Sequence, residues 1–320
     1  MNVEDIEVEK KLKIVFMGTP EFSVPVLQAL IDNYDVKAVV TQTDKQVGRS
    51  GKIAYSPIKK LALENDIVVL QPEKIKESYQ EVIDLEPNII ITCAYGQIIP
   101  KELLDYPEYG CINVHASLLP KLRGGAPIHR AIIEGYKKTG ITIMYMAPGM
   151  DDGDIITQEE VEITDTDTAS TLSNKLTNLG AKLLIETLPS ILEGTNTRTS
   201  QNPDEVTFAP IIKKEDERLD FSRSAKEVYN KIRGLNSFPG AYTMFEGKRM
   251  KVWESRISED YFPENLDGEI VKLYKDGIGV STLDGEIILT EVKPAGKKRM
   301  LVRDYLNGID KNSLLGKVIK

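Results

Sequence analysis

The sequence predicts an α/β protein: a doubly wound, mostly parallel sheet followed by a small C-terminal β-barrel. Up to residue 193, short apolar runs alternate with helix-patterned segments, the signature of βαβ units. Beyond residue 206 the pattern changes to short strands broken by tight glycine turns. The length of 320 residues, at 41% hydrophobic and 28% charged, leaves room for two cores.

The elements follow in order. "KLKIVFMG" (11–18) is a buried-strand run ending in glycine, and "TPEFSVPVLQALI" continues it as a helix with a threonine cap and an early proline. "DVKAVVTQ", "NDIVVL" and "EPNIIITC" are further strands, separated by the helical segments "SPIKKLALE" and "KESYQEVIDL". "GCINVH" extends the sheet, "APIHRAIIEGY" is a helix, and "TGITIMYMAPGMDDGDIITQEEVEI" is two strands joined by a polar turn. A long amphipathic helix with a Thr or Asp cap covers "DTASTLSNKLTNLGAKLLIETLPSILEG". The domain expectation is therefore a catalytic domain over 1–193, a polar linker over 194–206 ("GTNTRTSQNPDEV"), and a second domain over 207–320. In that last part "SAKEVYNKIRGLN" reads as a helix, and "EG" and "DG" turns separate the strands of the barrel. The first ten residues fit none of these elements and are expected to form a disordered extension.

The start, "MNVEDIEVEKK", has no apolar core or cleavage site of a secretory signal, and no run approaches the length of a membrane span. A cytoplasmic monomer with no membrane partner is expected. Cys93 and Cys111 lie in apolar strands and read as reduced core residues. Two cysteines and two histidines without zinc spacing give no metal site, and "DDGD" lacks the alternation and closing glutamate of a calcium loop. Net charge is −8, but unevenly spread: residues 207–320 carry 21 Lys+Arg against 18 Asp+Glu, leaving 20 against 31 for residues 1–206. A slightly basic second part permits a phosphate-bearing partner.

Both histidines fall within "CINVHASLLPKLRGGAPIHR" (111–130). A strand histidine is most often a structural hydrogen-bonder, but Asn113 stands two residues before His115, so both side chains leave the same strand face. An amide and an imidazole so placed can converge on one oxygen. They sit at a strand end, where open α/β sheets collect ligands, and so does the "PGMDDGD" turn. Asp151 in that turn could orient the imidazole or favour its charged form. The residues by themselves leave acyl transfer and proton transfer both open. "GTPEFS" after the first strand is not the glycine fingerprint of dinucleotide binding.

The segments "MGTPEFSVPVLQAL", "AYGQIIPKELLDYPEYGCINVHASLLPKLRGGAPIHRAI", "TGITIMYMAPGMDDGDII" and "KPAGKKRM" resemble, from about residue 11 to the end, the formyltransferases that use 10-formyltetrahydrofolate. The resemblance implies a Rossmann-like formyltransferase sheet with an OB-like C-terminal domain. It makes Asn113, His115 and Asp151 the catalytic trio, and Ser117, Leu118, Leu119 and Pro120 the folate-contacting loop. No metal is implied. His129, one turn into the helix, is expected to be an incidental surface residue.

Within that family the acceptor could be a glycinamide ribonucleotide, an amino sugar nucleotide or an aminoacyl-tRNA, and a relative hydrolyses formyl-folate. Two features point to initiator methionyl-tRNA. The loop "TQTDKQVGRSGKIAYSPIKKLA" (41–62) carries Lys45, Arg49, Lys52, Lys59 and Lys60, and its "GRSGK" resembles the acceptor-end loop of the tRNA-specific members, with Arg49 at the key arginine. The appended domain carries Lys248, Arg249, Lys251, Lys297, Lys298 and Arg299, suited to a phosphate track. The reading from another class is a catalytically silent RNA-binding module on this scaffold. Retention of Asn113, His115 and Asp151 discriminates against it.

Overall fold

The computed structural model describes residues 12–47 and 52–320; the N-terminal extension and Arg49 lie outside the described residues. The chain divides into two compact units. One takes in the chain to Pro127, Thr139–Glu162 and Ser173–Pro210, and the other Ile128–Lys138, Ile163–Leu172 and Ile211–Lys320.

In the first unit the apolar runs become β1 (Ile14–Gly18) and β2 (Val36–Val40), then a hairpin of β3 (Lys45–Val47) and β4 (Lys52–Ala54), then β5 (Val68–Leu70), β6 (Ile89–Cys93) and β7 (Cys111–His115). β8 (Lys138–Tyr145) and β9 (Ile155–Glu162) complete a seven-stranded sheet of order β5-β2-β1-β6-β7-β8-β9. Every residue of β1 and β6 is buried, as strands covered on both faces require, which explains their unbroken apolar runs. The strands from β5 to β7 pair in parallel, whereas β8 runs antiparallel to β7 with Asn113 opposite Met144 and His115 opposite Thr142. β2 lies to one side of β1 and β6 to the other, so the order reverses there and opens a crevice beyond the strand C-termini.

The first helix does not start as the sequence suggests. Thr19 donates from Oγ1 to the Tyr95 carbonyl (3.1 Å) instead of capping, and a 3-10 turn, Glu21–Ser23, precedes α1 (Val24–Asn33). Buried Ser23 anchors that turn by donating to the Cys93 carbonyl (2.5 Å). α2 (Pro57–Glu64) is capped by Ser56, whose side chain accepts from Lys59 N. "KESYQEVIDL" forms two short helices, α3 (Ile75–Ser78) and α4 (Gln80–Ile83), followed by α5 (Lys101–Leu104). α6 (Pro127–Ile133) and α7 (Ala169–Leu192) follow; Thr168 caps α7 by accepting from Thr171 N (3.2 Å). Cys93 and Cys111 are free and buried, and burial pushes both thiols up to about 12, as inert core residues require.

Residues 194–206, polar enough to suggest a linker, are tied into the first unit. Thr199 exchanges backbone hydrogen bonds with Ile155 (2.8 and 2.9 Å), and Arg198 and Ser200 both bind the Asp154 carboxylate. Beyond them Thr207 N and Ala209 N donate to the Pro120 and Arg123 carbonyls (3.4 and 2.7 Å). These contacts are with residues distant in the chain, so the segment shows no apolar period of its own.

The second unit includes α8 (Ala225–Gly234), held by a reciprocal Ser224–Glu227 capping box. Its sheet is antiparallel: β10 (Ala241–Phe245), β11 (Lys248–Ser258), β12 (Ile270–Leu273), β13 (Ile278–Ser281), β14 (Glu286–Lys293) and β15 (Met300–Leu301). The order is β10-β11-β14-β13-β12, with β15 also on β14, and a helix α9 (Val302–Asn307) follows. The chain end joins the two edges. Ile319 N donates to Gly268 beside β12, and Lys320 exchanges hydrogen bonds with Met244 of β10. Edge groups of both outer strands are thereby satisfied. No described helix is long and apolar enough to cross a membrane.

Candidate active site

Asn113 and His115 leave the same face of β7 at the C-terminal edge of the parallel strands. Thr92, paired with Asn113 across β6 and β7, donates from Oγ1 to Asn113 Oδ1 (2.8 Å). That bond occupies the amide oxygen and turns the Nδ2 donor outward, where no acceptor among the described residues takes it. Thr92 was detectable as a hydroxyl within the otherwise apolar run "IIIT".

The His115 side chain is only 7% exposed. Nε2 lies 3.2 Å from the Leu122 carbonyl, an acceptor only, so Nε2 carries a hydrogen. On the other side, Nδ1 lies 3.7 Å from Asp151 Oδ2, an ion-pair distance when the ring is charged. Asp151 occupies the left-handed region with φ +48°, and its Oδ2 accepts from Gly124 N (2.8 Å).

 Gly124 has φ +117°, and a Cβ there would lie 2.9 Å from the Ala209 carbonyl oxygen, so only glycine brings this N–H to the carboxylate without strain.

The "SLLP" loop is braced from β8 and β9. Thr142 Oγ1 donates to the Ser117 carbonyl (2.6 Å) and accepts from Leu119 N (3.2 Å), while Gln158 Nε2 donates to the Leu119 carbonyl (2.9 Å). Ser117 donates from Oγ to Lys121 O (2.6 Å), and both Ser117 and Leu119 are buried. The loop therefore offers Leu118, Pro120 and its backbone, rather than all four side chains, to a ligand.

The expected cations are dispersed. Lys45 is exposed on β3, Lys52 lies on β4, and Arg49 is outside the described residues. Lys59 is committed within the loop base: its Nζ donates to Asp44 (2.6 Å) and to Gln71 Oε1 (2.7 Å), and the Lys59 bond, followed by one from Gln71 Nε2 (2.9 Å), holds the Asp44 carboxyl below the usual carboxylate range. In the second unit Lys248, Arg249, Lys297 and Lys298 are exposed, with Arg249 stacked 3.9 Å from the Tyr242 ring. Arg299 is bound at both ends of its fork by Glu291 (2.7 and 2.6 Å), which reduces its availability to phosphate. Lys251 donates to the Pro239 carbonyl.

His129 is not the incidental surface residue expected. It is half-buried, and its Nδ1 donates to the Gly234 carbonyl (2.7 Å). Burial lowers its pKa, outweighing the opposite effect of that bond. The neutral ring is favoured in the folded state, so this contribution is complete above about pH 6.5 and is lost as pH falls and the unfolded chain takes up the proton. Urea denaturation of His129→Gln should show a flatter stability profile between about pH 7.5 and 5.5 than the unsubstituted chain. Parallel profiles would exclude a contribution from His129.

An outward amide donor, an imidazole backed by a carboxylate and a braced loop define the class of site suited to transfer of an acyl-type group. The family models agree: "Formyl transferase" matches residues 12–188 and "Formyl transferase, C-terminal domain" residues 211–310. The chain belongs to the formyl transferase family. It is 52% identical over 300 residues to the methionyl-tRNA formyltransferase of Bacillus licheniformis, covering 92% of this chain and 95% of that one. It is 51% identical over 311 residues to that of Bacillus subtilis, covering 95% and 98%. Among solved structures, an N-formyltransferase from Helicobacter canadensis in complex with folinic acid and dTDP-3-aminofucose shares the fold, with a TM-score of 0.65, 20% identity, and coverage of 87% and 98%.

Proposed function

We propose that this chain transfers the formyl group of 10-formyltetrahydrofolate to the α-amino group of methionine on initiator methionyl-tRNA, giving N-formylmethionyl-tRNA. The observation that carries the reading is the likeness, at about half identity and over nearly the whole of both chains, to the methionyl-tRNA formyltransferases. Asn113, His115 and Asp151 are the catalytic residues. The amine attacks the formyl carbon, and the new C–N bond forms as the carbonyl oxygen gains negative charge. Asn113 Nδ2 donates to that oxygen, and His115 donates Nε2–H in exchange for its Leu122 contact. Asp151 balances the imidazolium and takes part, through water, in moving the amine's proton towards N10 of the departing tetrahydrofolate as the old C–N bond breaks. Asn113 suits an incoming oxygen because Thr92 already occupies its other end.

The loop Ser117–Pro120 contacts folate, chiefly through its backbone, Leu118 and Pro120. Arg49, Lys45 and Lys52 engage the acceptor end, and Lys248, Arg249, Lys297 and Lys298 attract tRNA phosphates, with Arg299 contributing least because Glu291 already binds its guanidinium. Formyl chemistry thus belongs to the part expected as 1–193 and phosphate attraction to 207–320, in a cytoplasmic monomer. The test is tetrahydrofolate production from 10-formyltetrahydrofolate with methionyl-tRNA, uncharged tRNA, glycinamide ribonucleotide or an amino sugar nucleotide as acceptor. Turnover should require methionyl-tRNA. Equal turnover with another acceptor, or with none, would overturn the assignment.

A further inference from the structure

We propose that Gln201 is a positioning residue that sets the Asp151 carboxylate against His115; this rests on the catalytic reading of Asp151 above. Gln201 lies in the polar stretch that the sequence presents as a linker, yet its amide is committed at both ends. Oε1 accepts from Arg123 Nε and Nη2 (3.0 and 2.8 Å), and Nε2 donates to the carbonyls of Asp151 and Gly153 (2.7 and 2.8 Å). Arg123 can only donate and the carbonyls can only accept, so the amide has one workable orientation.

The four bonds join the two loops that meet at Asp151. Arg123 precedes Gly124, whose N–H binds Asp151 Oδ2, and the Asp151–Gly153 turn is held through its main chain. The turn needs holding because Asp151 sits at φ +48°, in the left-handed region that glycine adopts freely and other residues, aspartate included, adopt at some cost. Gly153 has no room to adapt, since a Cβ there would lie 1.9 Å from the Tyr145 carbonyl oxygen. Gln201 is itself fixed from behind by the Thr199–Ile155 pairing and from ahead by the Thr207 and Ala209 bonds. The side chain therefore transmits a fixed backbone position to the carboxylate.

Gln201→Leu removes all four bonds while keeping the volume close. It should lower kcat by about tenfold with KM for both substrates within about twofold, the pattern of a group whose effect is felt in the transition state. Because Gln201 acts through Asp151, the double variant Gln201→Leu/Asp151→Ala should be no slower than Asp151→Ala alone. A readout independent of turnover is the NMR titration of the His115 ring, assigned in the His129→Gln background. Its midpoint should move in Gln201→Leu in the same direction as in Asp151→Asn. An unmoved midpoint, or a further tenfold loss in the double variant, would overturn the proposal. Failure of the formyl-transfer reading would show separately, as an unsubstituted chain that does not formylate methionyl-tRNA although its His115 titration responds to Gln201.

Discussion

Replacing His115 by alanine is expected to lower formyl transfer by about 100-fold or more, with folding retained, and Asn113→Ala and Asp151→Ala should fall in the same range. The size follows from what each removes. Asn113→Ala deletes the one donor that Thr92 has turned towards an incoming oxygen, and His115→Ala deletes the neighbouring N–H and its charge. Asp151→Ala leaves His115 Nδ1 without the carboxylate 3.7 Å away and Gly124 N without its acceptor. The three should act as a unit, so a triple variant should be far less impaired than the product of the single losses. Single-turnover rates with methionyl-tRNA, alongside urea denaturation, separate chemistry from folding. Unchanged turnover in His115→Ala would remove the trio from the mechanism.

Much of this site is legible in the sequence because its first members are local. Asn113 and His115 are related by the two-residue strand period. The sequence suggests the same sheet edge for Asp151, but β8 runs antiparallel to β7 and ends beside Cys111 and Ile112, so the turn after it has to come back to bring Asp151 to His115. The buried runs of β1, β6 and β7 are equally plain, since strands covered on both faces need no alternation. What the sequence conceals is whatever depends on pairing at long range. Gln201 lies 50 residues from Asp151 in a stretch with no period, and its role exists only once Thr199 has paired with Ile155. The closing of the second sheet by Ile319 and Lys320 is likewise a backbone event that no side-chain pattern announces. Thr19 illustrates a third case. A cap residue by type, it is drawn instead to the Tyr95 carbonyl because buried Ser23 fixes the turn that follows.

The same contacts alter how the tRNA contribution of the second unit should be tested. Cutting the chain after residue 206 would remove Thr207 and Ala209, which hold the loop of Pro120 and Arg123, and would confuse damage to the site with loss of tRNA binding. Charge removal avoids that. Lys248, Arg249, Lys297 and Lys298 are exposed, and none has a carboxylate partner among the described residues. Replacing all four by alanine should leave folding and folate affinity unchanged, since exposed substitutions of this kind shift stability by only about 0.5 kcal/mol each. If all four neutralise phosphates, the slope of log affinity against log salt should become shallower by about 3, because each contact contributes roughly 0.7 to 0.9. Extrapolated to physiological salt, that corresponds to a loss of up to about 100-fold in tRNA affinity, falling to about tenfold if only half of them touch phosphate. A salt titration with initiator methionyl-tRNA distinguishes these cases, because a change in shape contacts would lower affinity without changing the slope. Arg299→Ala, added to the four, should have little further effect on the slope, since Glu291 already neutralises its guanidinium. Identical slopes for the quadruple variant and the unsubstituted chain would place the phosphate contacts elsewhere.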